Sequence, residues 1–169
     1  MSMGFLLCTL ISMLLFVGFN VIGIEKFGLL SCYSAYGEKW TPLSPANLNI
    51  WSVVTIISAL LLVPPMLATA VGSPIQFISF FAPLYLILVG LTPDYNSTNK
   101  KNIIHQIGAW GCVIGILIWL FAIVHEWVVI LPVFVLMFVI AFGTRTFKES
   151  CCYYLEMGMY LATYLVLIF

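Results

Sequence analysis

The chain has 169 residues, 63 % of them hydrophobic and only 7 % charged, with a formal net charge of zero and a mean hydropathy of +1.16. Soluble domains carry about 25 % charged residues, so water alone cannot be the solvent of this fold. Nothing favours nucleic acid, which asks for a basic face.

A membrane span needs roughly 20 mostly apolar residues. Six stretches qualify: 4–24, 50–70, 74–91, 103–124, 128–142 and 151–169. They lack the period-two alternation of barrel strands, so each is predicted to be an α-helix. The expected fold is an all-α, polytopic bundle of six transmembrane helices in one domain, 1–169.

The first stretch follows "MSMG", which has no basic residue, and no A-x-A-like site comes after it. It is therefore expected to be a span, not a cleaved leader. Asn20 lies near its end. A loop of roughly 25 residues, 25–49, leads to the second stretch, where Thr55 and Ser58 sit one to two turns in. "VGSP" (Val71–Pro74) turns into the third stretch. That stretch gives way to "GLTPDYNSTNKKNIIHQIGAW", Gly90–Trp110, a polar run in an apolar chain. His105 opens the fourth stretch. Gly111 and Gly115 follow at GxxxG spacing, with Gly108 extending the small face, a pattern that suits close helix packing. "HEW" (His125–Trp127) reads as a hairpin apex with Trp127 in the interfacial belt. Pro64, Pro65, Pro83 and Pro132 interrupt three stretches, as kinks or as a broken-helix substrate site. "NST" at Asn96 fits a glycosylation sequon only in a lumenal loop.

All six cations lie in three loops: Lys26 and Lys39, Lys100 and Lys101, Arg145 and Lys148. With six spans these loops share one face. The positive-inside rule makes loops 25–49, 92–102 and 143–150 cytoplasmic, with both termini on the opposite side.

The sixth stretch, "CCYYLEMGMYLATYLVLIF", holds one charge, Glu156. It lies roughly 7 Å along the helix from Cys151. Intramembrane carboxylates face the bundle interior or water and usually have a partner. The expected partner is His105, which opens the fourth stretch on the same face. Asp94 and Asn20 come out on that face too. Glu156, His105, Asp94 and Asn20 are thus the candidate ligand-binding residues of a polar pocket at the loop-rich end. The plainer readings are an interfacial His105, a turn-forming Asp94 and a purely structural Glu156. Cys8 and Cys112 read as packing residues. Cys32, Cys151 and Cys152 lie near one face, where a bridge from Cys32 to either of the others is conceivable under oxidising conditions.

Several chemistries lack their residues. Two histidines on opposite faces cannot build a zinc site, so no metal is expected. There is no G-x-S-x-G and no H-E-x-x-H. Paired intramembrane aspartates, clustered phosphate-binding cations and paired haem histidines are also missing. No cofactor is expected.

The segment "LYLILVGLTPDYNSTNKKNIIHQIGAWGCVIGI" resembles the central signature of the Frag/DRAM/Sfk-like six-helix membrane proteins, in the bacterial branch of domain-of-unknown-function family 998. The signature residues are Gly90, Pro93, Asp94, His105 and Ala109, with Glu156 matching an acid early in the family's last helix. "YGEKWTPLSPANLNIW" resembles the family's long first loop. Thr92 stands where the family carries an aromatic. The resemblance implies a lipid-associated protein of the bacterial inner membrane without an assigned reaction.

The expected partners are membrane lipids, with a homo-oligomer left open. The leading expectation is a non-enzymatic protein that binds a lipid or amphiphile headgroup in the polar pocket. A small transporter or channel is the first alternative, and it needs polar residues such as Gln76, Ser79 and Ser12 to continue to the far face. A membrane enzyme is the second, with His105 as base and Glu156 as orienter or acid.

Overall fold

The computed structural model describes residues 2–43, 49–144 and 147–169, apart from the side chains of 147 and 148. Among them the chain is wholly helical, without a strand. Seven α-helices follow in order: α1 (Met3–Phe27), α2 (Ser34–Trp40), α3 (Ile50–Thr69), α4 (Phe77–Leu91), α5 (Asn99–Ile118), α6 (Trp127–Gly143) and α7 (Phe147–Ile168). All but α2 fall on the apolar stretches. Four are long and apolar enough to cross a membrane: α1, α3, α5 with its continuation to Val124, and α7. The two others are shorter, 15 residues in α4 and 17 in α6.

Local chemistry sets the helix starts. The side chains of Ser2, Asn49 and Thr98 accept from the N–H groups of Phe5, Ser52 and Lys101, capping α1, α3 and α5. Helices α3, α4 and α6 run on through Pro64 and Pro65, Pro83 and Pro132, so none is broken there. The end of α5 widens into a π-helical turn over Trp119–Val124. His125 then takes a left-handed conformation, φ 61°, and its N–H returns to the Leu120 carbonyl at 3.1 Å. That turn is the hairpin apex expected at "HEW".

Helix α7 is the axis of the molecule. It touches α1, α3, α5 and α6. Within its apolar window 56 % of residues are buried, against 22 % for α1. Helices α3, α4 and α5 pack in sequence beside it. A Cβ at Gly111 would stand 2.6 Å from the Tyr85 ring, and one at Gly115 would stand 2.7 Å from the Ala82 Cβ. The small face of α5 therefore lets α4 approach closely, as its spacing predicts. Outward surfaces stay apolar: Leu14, Val128, Val135 and Phe138 are all more than half exposed. A soluble monomer does not carry apolar surface on that scale.

The first loop differs from its expected form. Tyr33, Tyr36 and Trp40 are buried, and the chain around them folds as α2. Their spacing, i, i+3 and i+7, puts all three on one helical face. Gly37 meets the Trp51 ring and Gly23 meets the Tyr36 ring, each at about 2.9 Å from where a Cβ would stand. The segment is therefore a plug in the end of the bundle, not a solvated loop.

Candidate functional site at the loop-rich end

Glu156 projects from α7 one to two turns beyond Ser150, where the helix is interrupted at φ −130°, ψ 19°. Its Oε2 accepts from the backbone N–H of Tyr33 at 2.7 Å. Cys152 stands one turn earlier on the same helix. Nearby, the Tyr153 N–H donates to the Ser31 carbonyl at 3.1 Å, so α7 holds the plug at two points. On its other side Tyr33 places its hydroxyl 2.6 Å from Thr55 Oγ1. The Thr55 hydroxyl is itself donated to the Trp51 carbonyl, 2.8 Å, which makes the Tyr33 phenol the donor of the pair.

His105 is buried, 3 % exposed, with partners of its own. Its Nδ1 lies 3.1 Å from Thr92 Oγ1. The Thr92 hydroxyl proton is committed to the Leu88 carbonyl at 2.8 Å. The network therefore assigns the ring proton to Nδ1 and leaves Nε2 as the acceptor. Tyr95 stacks on the imidazole, centroids 4.1 Å apart. The expected Glu156–His105 pair is thus not formed: one group holds the plug's backbone, the other a threonine and a tyrosine. The helices that carry them do touch: the Cys112 sulfur of α5 lies 3.1 Å from the Tyr160 hydroxyl of α7, one turn beyond Glu156.

The two other expected residues separate likewise. Asp94 forms an ion pair with Lys101, 2.6 Å, and accepts from the Ser97 hydroxyl at 3.1 Å. The Lys101 ammonium holds its pKa below the ordinary carboxylate value. Both partners are at least a third exposed, so this is a loop clasp at the surface. Asn96, beside it, donates to Glu38 of α2 at 2.7 Å, tying the third loop to the plug. Asn20 is buried in α1. It donates to the Phe16 carbonyl at 2.7 Å and accepts from the Tyr153 hydroxyl at 3.3 Å.

What remains open is small on the Glu156 side and larger outside it. A cavity of about 20 Å³ lies among Ser34, Cys112, Glu156 and Tyr160. That is room for about one water molecule, not for a headgroup. A groove of about 240 Å³ runs between α1, α6 and α7. Val17, Val21, Met137, Met157 and Leu161 line it, with the buried Asn20 and Tyr153 behind them, and its open surface is apolar. Among the described residues no three metal-ligating side chains cluster. All five cysteines are free thiols, so the conceivable bridge is not formed.

Two of the three polar residues expected of a transport path, Ser12 and Gln76, are used within the bundle. Ser12 donates to the Ser58 carbonyl at 2.9 Å and lies 3.0 Å from the Tyr164 hydroxyl. Gln76 donates to the Leu67 carbonyl at 3.2 Å. Ser79 is fully buried. No family model, curated protein or solved structure matches this chain.

Tyr33, Tyr153 and Thr92 are the site residues that reasoning on the sequence passed over. Tyr33 carried a signal, since it begins the Tyr33, Tyr36, Trp40 periodicity. The other two sit in ordinary-looking contexts, and nothing in the sequence marks them.

Proposed function

We propose that this chain is a multi-pass membrane protein of six spans that binds an amphiphile along its side, with the tail in the α1/α6/α7 groove. The groove supports this reading. It is apolar along its length, the chemistry of a lipid tail. The polar centre at Glu156 is filled by the plug, so the headgroup site belongs at the rim and not beside Glu156 and His105.

The short helices α4 and α6 complete the six spans, spanning with thinner local bilayer or flanking residues at the interface. The Asn96–Glu38 and Tyr153–Ser31 hydrogen bonds support a common end for the first, third and fifth loops. On the positive-inside rule that end is cytoplasmic and the termini lie opposite. Lys26, Lys39, Lys100 and Lys101 carry this argument, because Arg145 and the Lys148 side chain lie outside the described residues. Kinship with the Frag/DRAM/Sfk-like proteins and a bacterial inner-membrane location belong to the same proposal.

The test uses the full chain in vesicles with a phospholipid that carries a photoreactive diazirine on its tail. Labels are expected on Val17, Val21, Met157 and Leu161. Filling the groove with Val21→Trp is expected to lower that labelling by about tenfold. Labelling spread evenly over every outward apolar face, including Val128 and Val135 of α6, would show ordinary bilayer contact and defeat the reading.

A further inference from the structure

The thiols at the loop-rich end play no part in the groove, yet two of them converge. Cys152 stands one turn before Glu156 on α7. Cys32 immediately precedes Tyr33, whose N–H is held by that same carboxylate at 2.7 Å. A second tie joins the two backbones here. In the 3.1 Å bond from the Tyr153 N–H to the Ser31 carbonyl, Cys32 follows the acceptor and Cys152 precedes the donor. The Cys32 sulfur itself lies 3.3 Å from the Ser34 hydroxyl. Cys151 is set about 100° around the helix from Cys152 and so off the face that carries Glu156. Cys152 is exposed, two residues after the interruption at Ser150, and Cys32 is partly exposed.

We propose that Cys32 and Cys152 are a paired modification site, where a disulfide staples the entry of the plug to α7. The co-reactant is a low-molecular-weight disulfide. One cysteine thiolate attacks it, forming a mixed disulfide and releasing one small thiol. The second cysteine thiolate attacks the protein sulfur of that intermediate and releases the other small thiol. One S–S bond breaks and one forms. The cysteine pair is oxidised by two electrons, the reagent is reduced by two, and the two protein thiol protons end on the released thiols. This site stands or falls independently of the amphiphile groove.

The experiment treats the full chain in phospholipid vesicles with glutathione disulfide, caps remaining thiols with N-ethylmaleimide, and maps peptides by mass spectrometry without reduction. The expected product is a monomer with a Cys32–Cys152 linked peptide and three capped cysteines. C151S is expected to give the same link. C152S is expected to give none, with glutathione retained on Cys32. A link through Cys151, a link only between two chains, glutathione adducts on both cysteines, or no reaction at either would each overturn the proposal. The wild-type chain alone decides among these outcomes, so a variant that fails to fold does not rescue it.

Discussion

Glu156 accepts the backbone N–H of Tyr33 at 2.7 Å, across 123 residues of sequence. A carboxylate in a bilayer-spanning helix needs a donor, and here the donor is main chain. The same bond gives the start of the plug an acceptor. Truncation with Glu156→Ala removes the acceptor and leaves a part-buried N–H unmatched, a loss of about 1–3 kcal/mol. Glu156→Gln keeps an oxygen in place and is expected to lose less. Thermal unfolding in detergent orders the variants, and tryptic cleavage at Lys39 should quicken in Glu156→Ala. Equal stability and equal cleavage in all three proteins would remove this contact from the account.

The Asp94–Lys101 clasp predicts a pH dependence of definite sign. The Asp94 pKa is lowered in the folded chain, first by the hydrogen bond from Lys101. Its contribution is therefore fully present above the ordinary carboxylate pKa and is lost as pH falls through the folded value. An exposed pair contributes about 0.2–1 kcal/mol, less at high salt. Asp94→Asn should remove that fraction of the acid-side loss and leave stability at neutral pH lower by the same small amount. Unfolding midpoints between neutral and acid pH, at low and high salt, measure it.

Close approach of α4 and α5 predicts a steric cost. A side chain at Gly111 meets the Tyr85 ring, 2.6 Å from the first added carbon. Gly111→Leu is expected to destabilise by about 1–3 kcal/mol, as overpacking does. Adding Tyr85→Ala opens the space and should restore part of the loss. A double-mutant cycle in detergent unfolding reads the coupling; additivity would show that the two residues do not meet.

Deep in the bundle, Ser12 joins α1 to the Ser58 carbonyl of α3 and the Tyr164 hydroxyl of α7. Interhelical hydrogen bonds in membranes average about 0.6 kcal/mol. Ser12→Ala and Tyr164→Phe should each destabilise by about that amount, and the double variant by less than their sum. The check is again unfolding, since the Ser12 hydroxyl is the group both bonds share.

Much of the scaffold was legible because its signals are local. Apolar runs marked six helices, His125–Trp127 marked a reversal, and Gly108, Gly111 and Gly115 marked a close packing face. The site was less legible. Glu156 advertised itself as a lone buried acid, but its partner is an amide, and every residue except proline offers one of those. His105 was expected to open a helix, but α5 begins at Asn99 and carries it nearly two turns in, and its neighbours Thr92 and Tyr95 come from the connection before that helix. Charge pairing drew attention to Glu156 and His105 together, while the chain resolves each separately. The plug was hidden by composition: "SAYGEKW" carries charge and glycine like a surface loop, and only the aromatic spacing of Tyr33, Tyr36 and Trp40 reveals its inward face.

A bond that joins Tyr33 to Glu156 also sets an order of events during synthesis. The plug is translated early, directly after α1, but its carboxylate acceptor does not exist until α7 has left the ribosome. Until then Tyr33 can be seated only by the helices that precede α7. Closure of this end of the molecule thus waits for a helix more than a hundred residues downstream.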